Sequence, residues 1–108
     1  MNANQIQQGD VLFLKCAEDV RGKKLVPAKH GRLVFAEGEA TGHHHSCVAE
    51  PGVDLYEDES GTLWCKAEKE TIVTHQEHGP VTLSPGTYKV GRVVEVDPFE
   101  DVIREVAD

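Results

Sequence analysis

Short runs of β-forming residues, separated by Gly, Pro, Asp and Ser, extend along most of the chain. Val11–Cys16 is almost continuously apolar, whereas Val53–Glu57 alternates between apolar and polar residues. These patterns are typical of a strand buried on both faces and of a half-buried strand. No intervening segment is long enough for a βαβ crossover. The sequence therefore predicts an all-β fold, a small barrel or sandwich of about seven or eight short, mainly antiparallel strands.

The chain has 108 residues and shows no repeat, linker or shift in composition. We therefore expect residues 1–108 to form a single domain. Beyond Pro98, which ends the last strand pattern, four apolar residues recur at helical spacing: Phe99, Val102, Ile103 and Val106. A short C-terminal helical segment is expected within residues 99–107.

Composition and terminal sequence bear on where the protein functions. An apolar fraction of 39% and a charged fraction of 28% are typical of a soluble globular protein. No apolar run approaches the roughly 18 residues of a membrane span, and the N-terminus lacks the features of a secretory signal. Cys16, Cys47 and Cys65 contain no CxxC pair and fit reduced thiols better than a disulfide framework. The sequence predicts a cytoplasmic protein without membrane attachment.

The formal net charge of −8 argues against non-specific binding to nucleic acid, which requires a basic surface. Positive charge is nevertheless concentrated between Val20 and Ala36, where no acidic residue occurs. This basic stretch contains Arg21, Lys23, Lys24, Lys29 and Arg32. Most such runs are solvated surface, but this one can also receive a small-molecule or phosphate-containing substrate.

Five of the six histidines lie in two short segments, residues 41–47 and 74–80. Side chains alternate along a strand, so an extended first segment places His43, His45 and Cys47 on one face and His44 on the other. The second segment contributes His75 and His78, three residues apart, near a Gly-Pro turn. The two segments are close enough in sequence to meet on neighbouring strands.

Imidazole is the commonest metal ligand in proteins. We therefore expect one divalent metal bound by His43, His45, His75 and His78, with Cys47 as a substitute ligand. Zinc is the first choice because it accepts nitrogen and sulfur donors in tetrahedral sites, although iron, nickel and copper also bind imidazole.

If this site is catalytic, we expect its reaction to be metal-assisted hydrolysis. Glu77, between the two later histidines, is either the general base that takes a proton from metal-bound water or the acceptor that orients an imidazole. The expected catalytic residues are Glu77, His75 and His45.

Two alternatives remain open. A metal-free ribonuclease or phosphodiesterase would pair His45 with His75 or His78 as base and acid, with a cation from the basic stretch (Lys23, Lys24 or Arg32). A non-enzymatic module would bind a partner protein or assemble into a homo-oligomer, with aromatic residues as anchors. Its candidate anchors are Tyr56, Trp64 and Tyr88.

Two resemblances accompany these patterns. The His-x-His pair followed by the Pro-Gly turn loosely resembles the metal-binding motifs of small cupins over residues 37–90, although no Glu follows His45 at the cupin distance. The whole chain resembles a small uncharacterised bacterial and phage family. The shared segments are Gly-Asp-Val-Leu (9–12), Thr-Gly-His-x-His (41–45), Thr-His-x-Glu-His-Gly-Pro (74–80) and Pro-Gly-x-Tyr (85–88). This second resemblance implies no activity, but it separates His43, His45, His75 and His78 from His30 and His44.

Overall fold

The computed structural model describes residues 4–38, 42–92, 94–97 and 102–105, and over these ranges the chain is all-β with no helix. The strands are β1 (Gln5–Gln8), β2 (Val11–Cys16), β3 (Lys24–Leu25), β4 (Arg32–Glu37), β5 (His44–Val48), β6 (Val53–Glu57), β7 (Leu63–Ala67), β8 (Thr71–Val73), β9 (Val81–Leu83), β10 (Gly86–Arg92), β11 (Val94–Asp97) and β12 (Val102–Glu105). Every ladder between them is antiparallel. The predicted fold class is confirmed.

The described ranges contain twelve strands, more than the predicted seven or eight. The additional strands carry weak sequence signals. β1 is Gln-Ile-Gln-Gln, and β3 has only two residues. The sequence pattern does not separate β11 from the strand before it. Such segments become strands because a neighbouring backbone supplies their hydrogen-bond partners, which a local pattern does not reveal.

The predicted C-terminal helix is wrong where the structure describes that segment. Residues 102–105 form β12, which pairs with β11 from Val94↔Glu105 to Asp97↔Val102. Helical spacing over so few residues is a weak signal, and an adjacent strand satisfies the backbone polar groups equally well. The rest of the predicted helix, residues 99–101 and 106–107, lies outside the described residues.

Six strands form the larger sheet, in the order β1-β2-β10-β7-β6-β3. Two hairpins, β4–β5 and β8–β9, face it. Their apolar side chains share one core with those of the larger sheet, and Phe13 of β2 meets Phe35 of β4 edge to face with ring centroids 5.1 Å apart. Leu33 and Phe35 are buried on the hairpin side, and Phe13 and Tyr88 on the sheet side. No helix that could cross a membrane occurs in the described part of the chain.

Among the described residues, the two hairpins are joined by one backbone bridge, between Ser46 of β5 and Thr74, the residue after β8. Ser46 N–H donates to Thr74 O at 3.1 Å, and Thr74 N–H donates to Ser46 O at 2.8 Å. This antiparallel register places residue 45 opposite residue 75. Because that pair flanks a hydrogen-bonded pair, its side chains approach closely. The bridge therefore brings the two histidine segments together.

Candidate functional site

Four imidazoles from the two predicted segments lie in one cluster, which we call the histidine cluster (His43, His45, His75 and His78). The ring centroids of His45 and His75 are 4.3 Å apart, and those of His75 and His78 are 4.7 Å apart. His43 meets the His75 ring edge to face at 5.7 Å. Exposure rises outward, from His45 at 0% through the half-buried His43 and His75 to the exposed His78. The structure thus brings together the four predicted ligand residues.

Gln8, at the end of β1, orients His45. The buried Gln8 amide donates from Nε2 to Val73 O at 3.0 Å and to Gly79 O at 2.9 Å, so its Oε1 is the acceptor. His45 Nδ1 lies 2.8 Å from this oxygen and therefore carries a proton. In the neutral ring, the lone pair is consequently on Nε2, the nitrogen that faces the rest of the site.

Asp10 lies on the Nε2 side of His45. Its Oδ1 lies 3.6 Å from His45 Nε2, and its Oδ2 accepts a 2.7 Å hydrogen bond from Arg92 Nη1. The Asp10 side chain is only 10% exposed, and charge-assisted bonds of this length are strong. Arg92 therefore fixes the carboxylate so that one oxygen is presented to His45.

His75 has a different role from His45. Its Nδ1 accepts the backbone N–H of Glu77 at 3.0 Å and that of His78 at 3.3 Å, which closes the turn after β8. An accepting nitrogen carries no proton, so the neutral ring holds its proton on Nε2. That Nε2 is shielded from solvent. When both rings are neutral, His45 and His75 therefore hold their protons on opposite nitrogens, with the rings tilted by 33° to one another.

The outer edge of the cluster is formed by His78, His43 and Glu77. The His78 ring packs against Gly9, whose φ is +59°, and a Cβ added to this glycine would lie 2.6 Å from His78 Nε2. His43 Nδ1 lies 3.4 Å from Glu77 Oε1. Glu77, the predicted proton-handling carboxylate, is mostly exposed and lies at the edge of the cluster rather than inside it.

Among the residues that the structure describes, no three His, Cys, Asp or Glu side chains are placed to hold a metal ion together. Cys47, the predicted substitute ligand, points into the apolar core and is fully buried. Burial raises the pKa of its thiol, which keeps the thiol protonated and makes it a poor ligand. Cys47 and His45 share one face of β5, as strand parity predicts. Cys47 nevertheless belongs to the hydrophobic core, whereas His45 belongs to the histidine cluster.

The opposite face of the same junction carries a polar network of Arg32, His44, Ser46 and Thr74. Arg32 Nε donates to Ser46 Oγ at 2.7 Å, and its Nη2 donates to Thr74 Oγ1 at 2.8 Å. Ser46 Oγ also lies 2.9 Å from His44 Nδ1. His44 is thus on the face opposite His45, in agreement with strand parity. We call this network the arginine clamp.

The basic stretch does not supply a cation to the histidine cluster. Arg32 is committed to the clamp on the other face, and Lys23 lies over the Trp64 ring with its Nζ 4.6 Å from the ring centroid. Lys24 is exposed on β3, which pairs with β6 rather than with a histidine-bearing strand. The cation that contacts the cluster through Asp10 is Arg92.

The predicted aromatic anchors are mostly internal. Tyr88 is fully buried and donates to Ser84 O at 2.6 Å, while Trp64 is 6% exposed and donates from Nε1 to Asp58 Oδ2 at 3.0 Å. Tyr56 is half-buried. Buried side chains with internal hydrogen bonds are unsuited to bind a partner protein.

Comparison with known proteins gives one match. A family model described as a domain of unknown function, DUF8820, matches residues 7–93. The chain belongs to this family. The matched range includes all four residues of the histidine cluster as well as Gln8, Asp10 and Arg92. No curated protein and no solved structure matches the chain.

Sequence reasoning missed Gln8, Asp10 and Arg92. Each lies at least 35 residues from His45, the histidine that these residues help to place, so no local spacing connects them. The single available signal was the Gly-Asp pair at residues 9 and 10, which leads into β2. By itself this pair predicts an ordinary turn. Only the fold shows that the turn packs against His45 and His78.

Proposed function

We propose that this domain binds one divalent transition metal, with zinc as the first choice, at the histidine cluster and uses it to hydrolyse a small substrate. One observation carries the proposal: four imidazoles from two segments form one cluster, and the inner one, His45, lies between Gln8 on its Nδ1 side and Asp10 on its Nε2 side. Metal-ligating histidines characteristically donate their second N–H to a fixed oxygen, as His45 does to Gln8.

The dimensions of the cluster are compatible with a metal. With Zn–N distances near 2.0 Å and tetrahedral geometry, the ring centroids of ligating histidines would lie about 5 Å apart. The observed separations run from 4.3 to 6.1 Å. Because three donor atoms do not converge as placed, binding requires at least one ring to rotate. His78 is exposed and at the rim, where rotation meets least resistance.

In this proposal the metal supplies Lewis acidity and the chain supplies orientation and proton transfer. Gln8 holds the His45 tautomer, and Arg92 holds Asp10. Glu77, 3.4 Å from His43 at the exposed edge, is placed to exchange protons with an entering substrate. The buried side of the cluster excludes water behind the reacting group.

Elemental analysis of protein purified without a tag tests the proposal. We expect about one divalent ion per chain, lost in His45→Ala. The control is His30→Asn, which removes the histidine outside both segments; Asn tolerates the positive φ of 52° at that position. Metal below about 0.2 per chain in the wild type, unchanged after incubation with zinc, nickel or iron, would reject the proposal.

The opposite tautomers of His45 and His75 favour a second candidate, metal-free acid–base cleavage of a phosphodiester. His45 Nε2 would accept a proton and His75 Nε2–H would donate one, with Arg92 as the nearby cation. The required result is cleavage of a model RNA that persists in a chelator and is lost in His45→Ala. Cleavage abolished by the chelator and restored by zinc would favour the metal-dependent reaction instead.

A further inference from the structure

We infer that the arginine clamp is also a binding site for a small molecule that carries a phosphate group beside an apolar group. The phosphate binds to Arg32 and His44, and the apolar group packs on the exposed side chains of Val48 and Ile72. This site lies on the face of the junction opposite the histidine cluster. It goes beyond the proposed function and holds whether or not a metal is bound.

Among the residues that the structure describes, the positive charge of Arg32 has no carboxylate partner. Its half-buried guanidinium donates instead to neutral oxygens. The Nε bonds to Ser46 Oγ at 2.7 Å, and the Nη2 bonds to Thr74 Oγ1 at 2.8 Å and to Ser46 O at 3.3 Å. Within the same ranges, both N–H groups of Nη1 lack a protein acceptor. A guanidinium held in this way loses little further entropy on binding and is suited to an oxyanion.

The second donor is His44, whose tautomer is set by Ser46. The fully buried Ser46 Oγ accepts from Arg32 Nε, so its own hydroxyl proton needs an acceptor. In the described part of the chain, that acceptor is His44 Nδ1 at 2.9 Å. The neutral His44 ring therefore carries its proton on Nε2. Because Arg32 Nε and His44 Nδ1 bond to one oxygen, they lie no more than roughly 5.6 Å apart, within the span of a bridging phosphate.

Gln76 and Glu37 limit where the phosphate can bind. The exposed Gln76 accepts the backbone N–H of His44 on its Oε1 at 2.7 Å, so its Nε2 is a further donor beside the ring. Glu37 is opposite His44 in the β4–β5 register, and its carboxylate is exposed. A negative charge at that position disfavours an anion there, so the phosphate binds on the Arg32 side of His44.

Two exposed apolar side chains lie beside the clamp on the same face of the strands. Val48 is opposite Arg32 in the register and is 52% exposed, and Ile72 is 55% exposed. Each is two residues from the bridged pair, so strand alternation places both on the clamp side. They line a shallow cavity of about 200 Å³, with Glu50 and Glu70 two residues further from the clamp. A ligand therefore places its anionic end at Arg32 and its apolar end in this cavity.

A titration of the wild-type protein tests the site without any folding defect. Phenyl phosphate and inorganic phosphate are added separately to metal-free protein, and binding is followed by nitrogen-15 NMR of backbone and side-chain N–H groups. We expect a dissociation constant of about 1 mM for phenyl phosphate and about fivefold weaker binding of inorganic phosphate. The largest shifts should be those of Arg32, His44 and Gln76. Shifts centred on the histidine cluster, or equal affinities for the two ligands, overturn the inference.

Variants separate the contribution of Arg32 from that of net charge. Arg32→Met should weaken the binding of both ligands at least about tenfold, because it removes the charged donor. The matched control is Arg21→Met, which removes the same charge from an exposed side chain outside the clamp and should leave both affinities unchanged. Ile72→Thr keeps a β-branched residue at an exposed position and should reduce the preference for phenyl phosphate to about twofold. Equal losses in the two arginine variants, or an unchanged preference in Ile72→Thr, overturn the inference.

Discussion

The two faces of the junction between β5 and β8 differ although the same backbone bridge creates both. On one face, the arginine clamp joins Arg32, His44, Ser46 and Thr74 through side-chain bonds of 2.7 to 2.9 Å. On the other, the tilted rings of His45 and His75 lie 4.3 Å apart, with His45 Nδ1 bonded to Gln8 and His75 Nδ1 bonded to the Glu77 N–H. One face is a network of side-chain hydrogen bonds, and the other is a group of packed imidazole rings.

This difference means that the clamp can stabilise the junction without contacting the imidazoles. The junction has one pair of backbone hydrogen bonds, which is little for holding two hairpins in register. The guanidinium of Arg32 spans both hairpins and reinforces the bridge, because hydrogen bonds from charged donors are worth about 1.5–3 kcal/mol each. A change in the clamp therefore affects stability without touching the imidazoles, whereas a change of Gln8 affects both stability and the position of His45. We therefore expect changes on the two faces to have separable effects.

The largest expected effect comes from Gln8→Leu on the histidine face. This change leaves His45 Nδ1 and the carbonyls of Val73 and Gly79 without their buried partner. Each unsatisfied buried group costs about 1–3 kcal/mol, so we expect a loss of about 3 kcal/mol in the free energy of unfolding by urea titration. Metal affinity should fall between about 10- and 100-fold because the His45 tautomer is no longer fixed.

The matched control is Gln7→Leu, the neighbouring glutamine on β1. Its Nε2 donates to Gly9 O at 2.8 Å, but this bond is exposed. Water replaces an exposed partner, so the change should cost less than about 0.5 kcal/mol and leave metal affinity unaltered. Equal losses of stability in the two variants would show that Gln8 is not the residue that organises the histidine face.

Much of this site could be predicted from the sequence, and the missing part has a definite cause. Strand parity placed His43 and His45 on one face and His44 on the other, since alternation is a local property of the chain. The register of one strand against another depends on long-range packing. The pairing of His45 opposite His75 could therefore be established only from the structure. Gln8, Asp10 and Arg92 reach the cluster through the same long-range geometry. The four-histidine ligand set remains a prediction.

Arg32→Met should have the next largest effect, on the clamp face. Methionine retains most of the aliphatic stem, whereas Ser46 Oγ and Thr74 Oγ1 lose their charged donor. We expect the free energy of unfolding to fall by about 2 kcal/mol. Metal affinity should change by less than about threefold, because no clamp atom faces the cluster. A metal affinity reduced as strongly as in Gln8→Leu would contradict the separation of the two faces.

A smaller effect is expected from Gly9→Ala when it is compared with Gly61→Ala. Both glycines have positive φ, +59° and +88°, so alanine is strained by about 1 kcal/mol at either position. The surroundings differ: a Cβ at Gly61 meets nothing within 4 Å, whereas one at Gly9 would collide with the His78 ring. Because the exposed His78 ring can rotate away, we expect Gly9→Ala to lose only about 0.5 kcal/mol more and to shift the His78 ring resonances in NMR spectra. Identical losses would show that His78 does not pack on Gly9 in solution.

The smallest effect is expected from the Cys65 thiol, in the core next to the histidine face. Cys47, two residues beyond His45, packs in the same core cluster as Cys65, and burial raises the pKa of the Cys65 thiol to about 12. Its ordinary value is 9.0, so above that pH the unfolded chain loses a proton that the folded chain keeps, and stability falls as pH rises. The expected loss from Cys65 is about 0.4 kcal/mol at pH 9 and about 1.4 kcal/mol in total at pH 10. Urea titrations of the wild type and Cys65→Ala between pH 7 and 10 isolate this contribution, which should vanish in the variant. A wild type and variant that lose stability in parallel would place the Cys65 thiol in contact with water, and the core boundary on this face would then lie further from His45.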